Sequence, residues 1–255
     1  MTEVVGPRTR YPVPMEFTVF LEETISPKVS QLIAAIFTSA PTQKLAEITE
    51  NNPWHDNENA LDHVQTVFAN LQRLLKFEFI EDLDIQAQYK AYFAQSAAPG
   101  GALNRAEALL VACSLHDISK GQPRPENDEF AGKPYVFFKE DGNTTGKGHE
   151  HASAEMVPEL LGGSGLFQAD IDHIQYLVEQ HGQFSLDFVQ NELQGYESGD
   201  MQADITTILQ VQPNYAVELM LHIIADEWGA EISQWKSEYL LKLIRNNFIP
   251  QERKT

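Results

Sequence analysis

The chain has a single cysteine, Cys113. No intrachain disulfide can form and no Cys-based zinc site can be built, which fits a reducing, cytoplasmic setting. Basic residues are also scarce: 18 Lys and Arg stand against 37 Asp and Glu, a formal net charge of −19. A surface this acidic repels phosphate backbones and anionic lipid, so charge-driven, nonspecific nucleic-acid or membrane binding is not expected. A small anionic substrate drawn to a local metal site is not excluded. No apolar run approaches the ~18 residues of a membrane span. The first residues carry Arg8 and Arg10 but no apolar core of a signal peptide, so no secretory leader is expected. Repeats and low-complexity tracts are absent. What remains, 255 residues with 42% hydrophobic and 22% charged content, suits one sizeable globular domain.

The most informative stretch is Ser114-Leu115-His116-Asp117-Ile118-Ser119-Lys120, which closes the apolar segment Glu107–Cys113. Leu109, Ala112, Cys113 and His116 fall at i, i+3, i+4 and i+7, one face of a helix. Cys113 therefore reads as a small core residue and not a nucleophile. The pattern aims an imidazole and a carboxylate into a core, and a buried carboxylate needs a partner. A divalent cation is the simplest partner for an adjacent His and Asp.

Further polar interruptions of apolar stripes follow the same logic. A helix from about 58 to 77 has Ala60, Val64, Val67, Phe68, Leu71, Leu74 and Leu75 on one face, with His63 among them. His55 lies ahead of it in a polar stretch, as a cap or a group behind the ligands. A helix from about 168 to 181 carries Ile171, Ile174, Leu177 and Val178 and ends at His181 before Gly182. A strongly apolar helix after Pro213 receives Asp226 in its midst. Residues 121–148 are rich in glycine and proline, and Asp141-Gly142 between Tyr135–Phe138 and Thr144-Thr145 signals a hairpin. It leads to Gly148-His149-Glu150-His151 at the start of a helix reaching Leu161. Shorter helices are expected from Pro27, near 45–48 and over 82–95, and a last one from Ile232 to about Phe248. Residues 183–211 read as two helices. His173 and His222 read as ordinary surface or packing residues. The architecture expected is all-α: a helical domain over 26–249, with tails at 1–25 and 250–255. One hairpin near 134–147 would be its only strand structure.

The order His63 … His116-Asp117 … His149 … His181 … Asp226 resembles the HD-domain superfamily of metal-dependent phosphohydrolases. The run from His116-Asp117-Ile118-Ser119-Lys120 to Gly148-His149-Glu150-His151-Ala152-Ser153-Ala154 is similar to the HD subdomain of bacterial CCA-adding tRNA nucleotidyltransferases. Leu177–His181, Ala225-Asp226-Glu227 and the early His55 … Glu58 … Asp62-His63 fit the same pattern. No nucleotidyltransferase head is expected ahead of residue 55, and the acidic surface does not suit tRNA. The resemblance implies an HD-domain helical bundle with His63, His116, Asp117 and Asp226 as metal ligands and Asp117 bridging two ions. His149 and His181 would complete a second site, with His151 the rival of His149. One or two divalent ions (Mn, Fe, Co, Ni or Zn) would supply a metal-held hydroxide that attacks a small phosphomonoester or cyclic phosphodiester, nucleotide-like on family grounds. Lys120 would stabilise developing charge at the same mouth. Two other readings stay open: a di-iron oxygenase resembling myo-inositol oxygenase, and a nucleotide-binding sensor without turnover.

Overall fold

The computed structural model describes residues 25–52, 55–182, 214–229 and 235–245. The expected tails, the two helices expected within 183–211 and both ends of the expected final helix lie outside the described residues. In chain order the elements are Pro27–Thr38 (α1), Ala40–Lys44 (α2), Thr49–Asn52 (β1), His55–Asn59 (β2), Ala60–Leu74 (α3) and Leu83–Phe93 (α4). Then come Arg105–Leu115 (α5), Phe137–Phe138 (β3), Thr144–Thr145 (β4), His149–Leu161 (α6), Gln168–Gln180 (α7), Ala216–Gly229 (α8) and Trp235–Arg245 (α9). The fold is mainly helical, and no helix among the described residues is long and apolar enough to cross a membrane.

α5 is the axis of the bundle. Every residue from Ala106 to Leu115 is buried, as an all-round apolar helix requires. It packs against α1, α3, α7 and α8, while α8 lies along α3 and α6 along α7. The start of α5 is fixed by a capping box: Asn104 accepts from Glu107 N at 2.8 Å, and Glu107 accepts from Asn104 N at 3.0 Å. Two of the orphan amides of a helix start are thus satisfied reciprocally. Glu107 also accepts from Ser26 N at 2.9 Å, joining the entry to α1 to the entry to α5. Asp170, fully buried on α7, accepts from the amides of Ala102 and Leu103, each at 3.1 Å through Oδ1. The Ala98–Gly101 loop is thereby held ahead of α5, and Gly101 has no room for a side chain because Asp170 occupies that space.

The expected hairpin near 134–147 is present as β3 paired antiparallel with β4. The expectation that it is the only strand structure is corrected: β1 and β2 form a second antiparallel pair, with an irregular register between Glu50 and Asn52. Its sequence, Thr49-Glu50-Asn51-Asn52 and His55-Asp56-Asn57-Glu58-Asn59, has no apolar alternation to reveal it. Its partner is instead the other hairpin. Asn51 N donates to Thr144 Oγ1 at 2.9 Å, and Thr144 Oγ1 donates to Asn51 O at 3.1 Å. The two small sheets therefore brace one another beside the bundle, and Glu50, His55 and Glu58 ride on the β1–β2 pair.

Candidate metal centre

The regular part of α5 stops at Leu115. From there the chain tightens into i→i+3 turns, with Ile118 N bonded to Leu115 O at 3.1 Å and Lys120 N to Asp117 O at 3.0 Å. This tighter winding is locked by two buried serines. Ser119 N donates to Ser153 Oγ at 3.2 Å, and Ser119 Oγ donates to His149 O at 2.9 Å. The turn holding Asp117 is thereby pinned to the start of α6, which carries His149.

The buried Asp117 carboxylate stands between two pairs of imidazoles. Oδ2 lies 3.2 Å from His116 Nε2 and 3.7 Å from His63 Nε2. Oδ1 lies 2.9 Å from His149 Nε2 and 3.8 Å from His181 Nε2. His63–His116–Asp117 and Asp117–His149–His181 are thus two triads sharing one residue, each with its ligand atoms within 4.8 Å of one another. Asp226 joins the first, with Oδ1 2.9 Å from His63 Nε2 and 3.8 Å from His116 Nε2. The Asp226 side chain is 34% exposed. It marks the opening of the centre, not its interior.

Backbone carbonyls set the direction of the rings. His116 Nδ1 bonds to Cys113 O at 2.7 Å, His149 Nδ1 to Gly146 O at 2.6 Å and His181 Nδ1 to Val178 O at 2.5 Å. A carbonyl only accepts, so each Nδ1 carries a proton and each Nε2 is the nitrogen turned toward the centre. Metal-ligating histidines are fixed in this way. His63 instead presents Nδ1 to Glu58 Oε2 at 3.5 Å, and Glu58 Oε2 is bonded to His55 Nδ1 at 2.7 Å. His55 therefore sits behind Glu58, one step back from the ligands.

Without a cation the protein's own donors face the carboxylate: His149 Nε2 stands 2.9 Å from Asp117 Oδ1 and Lys120 Nζ 2.7 Å from Oδ2, while His116 Nε2 is buried with no hydrogen-bond partner. Burial opposes ionisation of Asp117, but His116, Lys120 and His149 outweigh it and hold the carboxyl well below its usual range. Burial likewise opposes the charge on His63, yet the Asp226 and Glu58 carboxylates raise the imidazole to about 10. His149 is raised against burial by Asp117, and Glu58 is lowered to about 2 against burial by His55 and His63. Converging lone pairs and ionised carboxylates are the donor set of a first-row divalent ion, so the residues present fit such a group. A bound cation would take the place of the protons that His63 and His149 otherwise hold.

All six expected ligands, His63, His116, Asp117, His149, His181 and Asp226, are brought together. His151 is not: its side chain is 68% exposed and faces Glu155 and Glu179. Lys120 is not a solvated lysine at a helix end. It is buried, with Nζ 2.6 Å from Glu50 Oε2 and 2.7 Å from Asp117 Oδ2, and these carboxylates overcome burial to raise its pKa. Glu50 had no sequence signal, lying in a polar strand with no periodicity. His173 and His222 are both buried. His173 packs on Tyr215 with ring centroids 4.6 Å apart, whereas His222 lies against His116 and His181. A histidine one turn before Asp226 in a mostly apolar helix was a signal that could have been used. No protein-family model matches the chain, and no curated protein matches it.

Proposed function

We propose that the protein is a metal-dependent phosphohydrolase of the HD-domain kind, acting on a small phosphomonoester or cyclic phosphodiester. The observation that carries this reading is the shared carboxylate: the two oxygens of Asp117 face two different histidine pairs. That arrangement suits two ions side by side, with His63, His116 and Asp226 holding one and His149 and His181 the other. Divalent ions bound there would supply an activated water nucleophile and neutralise phosphoryl charge.

The chain's own residues perform the remaining tasks. The carbonyls of Cys113, Gly146 and Val178 keep three imidazoles in the tautomer that ligates. Glu50 and Asp117 keep Lys120 protonated at neutral pH, so its ammonium can offset negative charge developing on a phosphoryl group. Asp226, Glu58 and Glu150 leave part of their side chains in solvent beside the histidines they face.

The test is a screen of the full-length protein against phosphomonoesters and cyclic phosphodiesters under strict anaerobiosis, with Mn²⁺, Co²⁺, Ni²⁺ or Fe²⁺ added in turn. Hydrolysis supported by several of these ions without dioxygen is expected. An absolute requirement for iron and dioxygen would overturn the hydrolase reading in favour of a di-iron oxygenase using the same six ligands.

A further inference from the structure

His222 is unused by the two triads and is the most poorly satisfied imidazole beside them. It is fully buried, and neither ring nitrogen has a hydrogen-bond partner. Leaving two polar nitrogens dry and unpaired is costly. Its ring centroid lies 5.3 Å from that of His116 and 5.5 Å from that of His181. The third neighbour is Cys113, equally buried, one helical turn before His116 on α5. Donor atoms of Cys113, His116 and His222 all fall within 4.8 Å of one another. Cysteine alone offered no basis for a zinc site; beside two imidazoles it becomes one member of a mixed triad.

We propose that Cys113, His116 and His222 form a third, sulfur-containing triad that takes up a thiophilic ion such as Zn²⁺, and that filling it withdraws His116 from the first triad. One thiolate and two imidazoles are a donor set for zinc or cadmium and a poor one for manganese or magnesium. On binding, the sulfur–metal bond forms as the Cys113 S–H proton leaves to solvent. The competition follows from His116. If the ion takes Nε2, that lone pair is lost to the first triad. If it takes Nδ1, the bond to Cys113 O that aims the ring is broken. Either way, a thiophilic ion opposes occupation of the first triad by a harder one.

Cadmium is the probe, as the spectroscopically visible counterpart of zinc. The full-length protein is titrated with Cd²⁺ alone, following the ultraviolet thiolate-to-cadmium charge-transfer band and the cadmium NMR shift. Cys113 is the only cysteine, so any such band reports this thiol. The band is expected to appear and saturate, to vanish in Cys113→Ser, and to need roughly tenfold more Cd²⁺ or beyond in His222→Leu. Preloading with Mn²⁺ is expected to delay it. Cadmium bound without the band, or a band indifferent to His222→Leu, overturns the proposal. Should Cys113→Ser fail to fold, the wild-type band and His222→Leu carry the test. None of these readouts requires phosphoester hydrolysis, so failure here and failure of the hydrolase reading are separable.

Discussion

Lys120 lies buried between two carboxylates, and removing it has a cost that the geometry sets. With Nζ 2.6 Å from Glu50 Oε2, the attraction is about 6 kcal/mol at an effective dielectric of ~20. Most of that is offset by the desolvation of both groups, so it is not the net worth of the pair. The loss of one partner is different, because Glu50 would stay buried without its ammonium, the His55 ring standing 4.0 Å away. Breaking a buried pair in this way costs about 3–5 kcal/mol. In protein saturated with metal, Asp117 is balanced by the ions, and Glu50 bears the whole consequence. Lys120→Met is therefore expected to lower stability by about 3–5 kcal/mol. Adding Glu50→Gln should restore about 0.5–3 kcal/mol of it, the range for coupled neighbours. Urea denaturation of the wild type, both single variants and the double variant closes the cycle. Strict additivity, or further loss on adding Glu50→Gln, would refute the buried ion pair as the reason Lys120 is held there.

Asp117→Ala is expected to lose all bound metal, whereas His149→Ala or His181→Ala should retain about half of it and His151→Ala all of it, as read by elemental analysis. Lys120→Met should keep its metal in folded protein yet turn over about 10²–10³-fold more slowly, as expected for a lost transition-state donor; normal turnover would reduce it to a structural charge. Gly229→Ala would bring a methyl group 2.8 Å from Val67 and 3.2 Å from the His63 ring. This crowding should cost about 1–3 kcal/mol and weaken metal binding, both measurable by thermal unfolding with and without metal. Because His63 is raised from 6.5 to about 10 in metal-free protein, the stability it contributes is fully present below about pH 6.5 and is lost as pH rises towards about 10. The melting temperature of chelated protein should fall across that window while metal affinity rises; a flat profile would contradict the assigned contacts.

Much of this centre was legible because core helices are written in a strict apolar code. His63, His116 and His181 interrupt such stripes, and Asp226 interrupts an almost continuous apolar run, so each stood out by period alone. His149 did not, since its position depends on a glycine-rich approach and a turn pinned by Ser119 and Ser153. Its choice over His151 rested on resemblance. Glu50 was illegible for another reason. Its burial follows from Lys120, seventy residues away, and from a strand pair held by Asn51 and Thr144 instead of by alternating apolar residues. His222 was legible in principle: a polar ring on a buried helical stripe is as informative as an acid there, but its neighbours Cys113 and His116 come from another part of the chain.

The central claim is that the two Asp117 triads bind metal, and elemental analysis of the purified, full-length protein tests it most directly. About one to two transition-metal ions per chain are expected, and their removal should lower the melting temperature, because a ligand bound only by the folded state stabilises it by mass action. Protein that holds no metal when offered Mn²⁺, Fe²⁺, Co²⁺, Ni²⁺ or Zn²⁺, with a melting temperature unchanged by chelation, would contradict the account at its root.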